Sequence, residues 1–166
     1  KNNGFGIVFG RKDKDNQNQF FITSNGSYII SKFVNGKRTY IKNWTKSSHI
    51  KTGNGVSNTL TVKKNGSKFL YLINSKIVYT SYSFRSYGDR TGFVVYDKQK
   101  ISVGYLSITG FPTRTTSPTI TNTNTSTKSK TILFEGFNNN NNEWSTTKSS
   151  DVNLDVTGGD YIFSHK

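Results

Sequence analysis

The fold is decided by residues 131–144, TILFEGFNNNNNEW, and residues 158–166, GGDYIFSHK, two strand-like runs near the C-terminal end. Residues 4–11, GFGIVFGR, form an equally strand-like run near the N-terminal end, with apolar residues at alternate positions. The C-terminal runs have the pattern of the opening of a β-domain, and the N-terminal run has that of its continuation. We therefore expect residues 131–166 to complete a sheet, either of this chain or of a neighbouring copy.

Composition favours an all-β chain. Hydrophobic residues make up only 31% of the 166 residues, aromatic residues reach 14%, alanine is absent and leucine is scarce. Asn, Thr, Ser and Gly are abundant, and all four are poor helix formers or turn formers. Asn-Gly pairs between β-rich runs are the strongest short-range signal for hairpins, and they predict a meander of about eight or nine strands. Three such pairs are Asn25-Gly26, Asn35-Gly36 and Asn65-Gly66.

The sequence predicts that the chain has three segments. Residues 1–110 carry the alternating strand patterns and are expected to form the body of the domain, with its last strand at residues 101–108. Residues 111–130, FPTRTTSPTITNTNTSTKSK, contain both prolines and almost nothing apolar, which is typical of an extended linker. Fully stretched, such a linker spans about 60 Å, so residues 131–166 could reach either their own body or a neighbour.

Charge is unevenly distributed along the chain. Residues 1–130 contain 21 Lys and Arg against 4 acidic residues, whereas residues 131–166 contain 2 Lys against 5 acidic residues. A basic body and an acidic tail attract one another, and such attraction accelerates docking more than it tightens it. The alternative is that surface lysines only keep the protein soluble.

A family resemblance extends over most of residues 4–109 and 132–166. The body residues that carry it are 4–12 (GFGIVFGRK), 20–37 (FFITSNGSYIISKFVNGK), 43–51 (NWTKSSHIK), 58–62 (NTLTV), 68–74 (KFLYLIN) and 92–96 (GFVVY). Residues 133–144 (LFEGFNNNNNEW) and 160–166 (DYIFSHK) match what is normally the opening of such a module. The chain resembles the concanavalin A-like lectin and glucanase jelly rolls, specifically the laminin-G-like and keto-disaccharide-hydrolase-like modules of bacterial surface proteins, in a permuted or tandem-repeat register.

The resemblance implies a two-sheet antiparallel jelly-roll sandwich on the outside of a cell. Because the opening segment lies at the C-terminal end, its strands are the expected assembly strands, pairing with this body or with a neighbouring one. Their candidate residues are Leu133, Phe134, Phe137, Trp144, Tyr161 and Phe163.

The chain lacks the pattern of a glycosidase. Glucanases of this structural class use two carboxylates on one strand, about 5 Å apart in retaining enzymes. No glutamate precedes Glu135, and the two histidines, His49 and His165, have no Cys or nearby acid to complete a triad or a metal site. The acidic residues of the body are Asp13, Asp15, Asp89 and Asp97, none of them paired on a strand face. We predict no enzymatic activity, no catalytic residues and no required cofactor.

Calcium is the one metal that the sequence leaves open. Lectin-like jelly rolls often bind calcium through Asp and Asn oxygens of a loop, and Asp13, Asp15, Asn16 and Asn18 offer such oxygens within one turn. The neighbouring lysines Lys12 and Lys14 argue against a cation there.

A sugar-binding site requires an aromatic face with polar groups beside it. The loop SYSFRSYGDR, residues 81–90, has this composition and lies between two predicted strands. Its candidate ligand-binding residues are Tyr82, Arg85, Tyr87, Asp89 and Arg90. The alternative is an ordinary loop with exposed tyrosines. Trp44 with Tyr40 is a second candidate, for which packing in a hairpin is the simpler interpretation.

Two functions follow as hypotheses. In the first, the chain is a non-catalytic extracellular structural or adhesive subunit that lends residues 131–166 to the next copy, forming a fibre or repeat array. In the second, it is a lectin-like carbohydrate-binding module that closes on itself as a monomer. The expected partners are other copies of the chain and a glycan or other polyanion. Specific nucleic-acid binding is not expected, because the lysines are spread along many strands. No apolar run approaches the roughly 18 residues of a membrane helix.

Overall fold

The structure is a computed structural model that describes residues 4–110 and 130–165. The two described ranges consist of β-strands and connecting turns without any helix, which confirms the predicted all-β class. The chain divides into two compact units, Lys1–Gln99 (unit 1) and Lys100–Lys166 (unit 2). The strands are β1 (Gly4–Asp13), β2 (Asn16–Thr23), β3 (Ser27–Val34), β4 (Lys37–Lys46), β5 (Leu60–Asn65), β6 (Lys68–Ile73), β7 (Lys76–Ser81), β8 (Arg90–Val95), β9 (Lys100–Val103), β10 (Leu106–Gly110), β11 (Lys130–Glu135), β12 (Thr147–Lys148), β13 (Val152–Thr157) and β14 (Asp160–His165).

Unit 1 contains two antiparallel sheets joined by tight turns. The five-stranded sheet has the order β4-β3-β2-β1-β8, and the three-stranded sheet has the order β5-β6-β7. The three Asn-Gly hairpins are confirmed, and at Asn35 and Gly36 both residues have positive φ (50° and 78°), as a type I′ turn requires. Asn74 and Ser75 form a further turn of this kind between β6 and β7, with φ of 49° and 68°, although no glycine marks it in the sequence.

The alternation in β1 places one face of the strand in the core. Phe9 is buried, and Phe5 and Ile7 pack against the same cluster. The glycines between them permit a close approach, because a Cβ on Gly6 would lie 2.2 Å from the backbone oxygen of Phe20 in β2. The sequence therefore requires glycine where the two backbones meet.

The core of unit 1 lies between its two sheets. Phe20, Ile22 and Ile30 come from the five-stranded sheet, whereas Tyr71 and Ile73 come from the three-stranded sheet, and all five are almost fully buried in one cluster. Side chains of facing sheets that share one apolar layer define a β-sandwich. The jelly-roll connectivity of that sandwich stays a prediction.

Unit 2 is built from strands on both sides of residues 111–129. β10 pairs with β11 in a two-stranded sheet, and a four-stranded sheet has the order β12-β13-β14-β9. The single strand predicted for residues 101–108 is wrong, because the chain breaks at Gly104-Tyr105 and its halves join different sheets. Residues 100–110, the last part of the expected body, thus pair with the C-terminal strands. The predicted linker lies outside the described residues, apart from Lys130 at the start of β11.

Tyr28 and Tyr71 are both buried in unit 1, but within the described ranges only the Tyr28 hydroxyl has a hydrogen-bond partner. Removing each hydroxyl therefore tests the structure of the core. The Tyr28 hydroxyl donates to the Val78 backbone oxygen at 2.8 Å, linking β3 to β7, whereas the Tyr71 hydroxyl has no hydrogen-bond partner among the described residues. We expect Tyr28→Phe to lower the free energy of unfolding by about 1 kcal/mol and Tyr71→Phe to leave it unchanged or raise it by about as much. Urea denaturation followed by Trp44 fluorescence measures both, and equal losses in the two variants would contradict this core.

Candidate functional site

The loop at residues 82–89, between β7 and β8, is held to the five-stranded sheet by its backbone. The Tyr87 N–H donates to the Gly10 backbone oxygen at 2.9 Å. The Asn18 side-chain amide donates to the Arg85 backbone oxygen at 3.0 Å. Because both bonds use backbone atoms of the loop, they fix its course without occupying its side chains.

Phe84 anchors the middle of the same loop in the core. Its ring stacks on Phe9 of β1 with centroids 5.8 Å apart, and on Phe69 of β6 with centroids 4.1 Å apart. One side chain of the loop is thereby held by rings from both sheets of unit 1, and such aromatic pairs stabilise beyond their burial. The loop is a fixed platform rather than a loose connection.

The side chains of the platform pair one exposed and one half-buried tyrosine ring with cations. Arg85 places its guanidinium carbon 5.6 Å from the centre of the Tyr87 ring. Tyr82 is 71% exposed, and the Lys68 ammonium of β6 lies 5.4 Å from its ring centre. A cation held over a ring is a favourable contact that orients the charge. Of the predicted residues, the structure brings Arg85 and Tyr87 together, whereas the partner of Tyr82 is Lys68, which the sequence analysis missed.

The remaining two predicted residues, Asp89 and Arg90, are exposed where the loop enters β8. Arg90 is paired in the ladder with Arg11 of β1. Neither position is distinguished in the sequence from other charged loop residues, and only the strand register shows that two arginines are neighbours.

A second group of cations and rings lies along β3 and β4. The Arg38 guanidinium carbon is 5.7 Å from the centre of the Phe33 ring and 5.1 Å from that of Tyr40. The Arg38 Nε also donates to the Ser31 hydroxyl at 3.3 Å. Trp44 is 38% exposed, and its Cη2 would lie 3.5 Å from a Cβ at Gly4, so its ring covers part of the sheet. The Tyr40 ring therefore contacts Arg38. Among the described residues it does not stack on the Trp44 ring.

Positive charge in unit 1 is largely uncompensated. Unit 1 contains 17 Lys and Arg against 4 acidic residues, and unit 2 contains 6 against 5. Within residues 4–110 and 130–165 a single ion pair occurs, between Lys14 and Asp15 at 3.5 Å. The unpaired cations create a positive potential that attracts anionic polymers at moderate salt.

The turn considered for calcium uses its oxygens internally. Asp13 Oδ1 accepts hydrogen bonds from the Asp15 N–H at 2.9 Å and from the Asn16 side-chain amide at 3.1 Å. The hydrogen bond from Asn16 lowers the pKa of the Asp13 carboxyl. Asn18 directs its amide to the loop at residues 82–89. In the described part of the chain, no group of three or more His, Cys, Asp or Glu could hold a metal ion.

The predicted assembly strands pair with residues 100–110 of the same chain. Leu133 and Phe134 lie opposite Ile108 and Ser107 in the β10–β11 ladder. In the β9–β14 ladder the corresponding pairs are Tyr161 with Val103 and Phe163 with Ile101.

Four predicted aromatic residues form one cluster in unit 2. Phe137 is fully buried, and its ring centre lies 5.6 Å from that of Tyr161 and 5.3 Å from that of Trp144. Phe163 contacts Tyr161 at 4.6 Å. The Tyr161 hydroxyl donates to the Ser145 backbone oxygen at 2.7 Å. The cluster thus joins β14 to the loop that follows β11.

Glu135 organises this loop and was not predicted. Its carboxylate is buried, and it accepts hydrogen bonds from the Phe137 N–H at 2.6 Å, from the Trp144 indole N–H at 3.0 Å and from the Asn142 side chain. The hydrogen bonds from Asn142 and Trp144 lower the pKa of Glu135. Asn140 holds the other end of the loop, accepting from the Trp144 N–H at 2.7 Å. The signal in the sequence is an acid at the end of an apolar strand, three residues before an Asn-rich run.

Comparisons of the chain with protein-family models, with curated proteins and with solved structures found no match. Over residues 4–110 and 130–165 there is no helix with the length and hydrophobicity needed to cross a membrane.

The Glu135 carboxylate predicts acid sensitivity of unit 2. Because its pKa in the folded chain lies below the ordinary value of 4.5, its stabilising effect is complete at neutral pH and is lost as the pH falls below that value. Glu135→Gln should lower the free energy of unfolding of unit 2 by about 1–3 kcal/mol at pH 7. It should also flatten the pH dependence between about pH 6 and 3.

Trp144 fluorescence in urea at several pH values makes this measurement, with Glu143→Gln as the control, since Glu143 is exposed. A Glu135→Gln variant with an unchanged pH profile would show that the carboxylate does not stabilise the loop.

Proposed function

We propose that this chain is a non-catalytic carbohydrate-binding module that acts outside the cell, with the loop at residues 82–89 as its contact surface. The observation that carries the proposal is the fixed platform, whose backbone is tied to β1 and β2 and whose two tyrosines, exposed Tyr82 and half-buried Tyr87, lie beside cations. Sites that are rigid before the ligand arrives lose little entropy on binding. This is what a surface loop needs in order to bind a flexible glycan.

The chemistry of the platform suits a sugar. An exposed ring such as that of Tyr82 covers the apolar face of a pyranose. The adjacent Lys68 and Arg85 supply donors for hydroxyl, carboxylate or sulfate oxygens, and charge-assisted hydrogen bonds are the stronger ones. The resemblance to concanavalin A-like modules points to the same ligand class and to an extracellular location.

Two carboxylates have structural roles within their own segments. Asp13 accepts hydrogen bonds from Asp15 and Asn16 in a turn, and Glu135 accepts hydrogen bonds from donors of its own loop. These roles are compatible with a module that binds its ligand without acting on it.

A second candidate function is assembly by strand exchange. The ladders of unit 2 join residues 100–110 to residues 130–165, and nineteen residues separate β10 from β11 along the chain. The same hydrogen bonds could be made by residues 130–165 of a neighbouring copy, which is the condition for exchange of an identical element between copies. Such exchange would make the chain a subunit of an adhesive fibre or repeat array.

The carbohydrate proposal predicts binding that depends on the platform. On affinity gels containing heparin, alginate or neutral laminarin, the protein should be retarded by at least one of them. Tyr82→Ala and Arg85→Gln should each weaken that binding by about three- to tenfold, because each removes one ring or cation contact. Tyr105→Ala removes an exposed tyrosine of unit 2 and is the matched control. Absence of retardation on every gel, or equal losses in all three variants, would exclude this site.

The absence of cysteine from the chain allows a direct test of strand exchange. Thr109 and Thr131 lie opposite one another in the β10–β11 ladder and both are exposed. In the Thr109→Cys, Thr131→Cys double variant, oxidation should give a monomer band on a non-reducing gel if the strands pair within one chain. Covalent dimers and longer ladders would show exchange, and a 1:1 mixture of the two single variants supplies the control, since it can crosslink only between chains.

A further inference from the structure

One end of the five-stranded sheet of unit 1 gathers eight of the 17 Lys and Arg residues of that unit, together with three of its four acidic residues. The ladder registers place Phe9, Asn18, Lys32 and Thr39 in one row across β1, β2, β3 and β4. The β1–β2 turn, the β3–β4 turn and the loop at residues 82–89 all lie at this end, which we call the basic end. Its charged members are Arg11, Lys12, Lys14, Lys32, Lys37, Arg38, Arg85 and Arg90, with Asp13, Asp15 and Asp89.

The turns of the basic end are bonded to one another. The Gly36 N–H of the β3–β4 turn donates to the Asp15 backbone oxygen of the β1–β2 turn at 3.0 Å. The Asn35 N–H donates to the Asn16 side-chain oxygen at 3.1 Å. With the loop at residues 82–89 held to Gly10, the whole end is one connected surface.

Two arginines at this end occupy positions that disfavour folding. Arg11 of β1 and Arg90 of β8 are direct partners in the ladder, and like charges placed opposite one another destabilise a sheet. The Arg11 Nε is buried and has no hydrogen-bond partner among the described residues. An anionic group bound beside these two side chains would reduce that repulsion.

Arg38 lies on β4, at the far edge of the basic end. It is paired with Phe33 of β3, one row away from Lys32, and its guanidinium lies over the rings of Phe33 and Tyr40. β4 is three strands from β1. With neighbouring strands about 4.8 Å apart, Arg11 and Arg38 are about 14 Å apart across the sheet. A single sugar ring cannot contact both, whereas a linear polymer crossing the strands can.

We propose that the basic end binds an extended acidic polysaccharide that crosses the strands from Arg90 and Arg11 to Arg38. This inference rests on the proposed carbohydrate-binding function and assigns its ligand class. Because the basic end is formed by the ends of the strands, a polysaccharide lying along it can contact side chains from either face of the five-stranded sheet. Several weak contacts along one polymer combine, so affinity increases with ligand length.

The rings of the basic end favour an acidic polysaccharide over a nucleic acid. Binding of single strands depends on aromatic faces on which bases stack. Here Arg38 lies over one face of the Phe33 and Tyr40 rings and Arg85 over one face of the Tyr87 ring, as Lys68 lies over one face of the Tyr82 ring. The rings thus orient the cations, and these cations can bind carboxylate or sulfate groups.

The test is isothermal titration calorimetry in 0.15 M NaCl. The ligands are a heparin-derived disaccharide, a heparin-derived dodecasaccharide and a thymidine oligonucleotide with the same charge as the dodecasaccharide. The wild-type protein should bind the dodecasaccharide at least about tenfold more tightly than the disaccharide, and more tightly than the oligonucleotide. The triple variant Arg11→Gln, Arg38→Gln, Arg90→Gln should lose at least about tenfold in affinity for the dodecasaccharide.

A charge-matched control is Lys51→Gln, Lys76→Gln, Lys98→Gln, which alters exposed lysines near the opposite end of the sheet. It should lose no more than about threefold, because at 0.15 M salt charges beyond about 8 Å are screened. Thermal melts establish that both triple variants are folded. Equal losses in the two variants, equal affinity for the two saccharides, or an oligonucleotide that binds as tightly would each overturn the inference. Binding of laminarin alone through Tyr82 would overturn it while leaving the carbohydrate-binding function intact.

Discussion

Phe20 and Tyr71 meet edge to face at the centre of unit 1, with ring centres 5.5 Å apart and both side chains fully buried. Phe20 belongs to the five-stranded sheet and Tyr71 to the three-stranded sheet, so their contact joins the two layers. From Tyr71 the series of rings continues through Phe9 to Phe84, which is part of the loop at residues 82–89. The platform proposed to bind sugar is therefore positioned by the core itself, through Phe84.

Unit 2 is organised differently, around one carboxylate. Glu135 gathers the loop that follows β11, and the aromatic cluster centred on Phe137 fixes that loop to β14. Both interactions depend on strands that precede residue 111 pairing with strands that follow residue 129. Unit 1 carries nearly all of the net positive charge, whereas unit 2 is almost neutral. The division of charge favours unit 1 over unit 2 as the part that would bind the proposed acidic ligand, and the proposed strand exchange would involve unit 2.

The sequence predicted what depends on local pattern. Alternating apolar residues and glycines located β1, and Asn-Gly pairs located the hairpins, because these signals need only neighbouring residues. It failed at Gly104-Tyr105, where pairing with two different sheets divides an apparently continuous strand. Likewise the loop at residues 82–89 was predicted from its composition, but the contact of Tyr82 with Lys68 and the pairing of Arg11 with Arg90 depend on tertiary placement and strand register. Such relations between distant residues leave no local pattern.

Binding at the loop of residues 82–89 is measured most directly by titrating ¹⁵N-labelled protein with a sulfated hexasaccharide and following the amide chemical shifts. We expect the shifts to change at Arg85, Tyr87 and Gly88, with little change at Ile73 in the core. Saturable changes confined to unit 2, or no changes at any saccharide concentration, would contradict it.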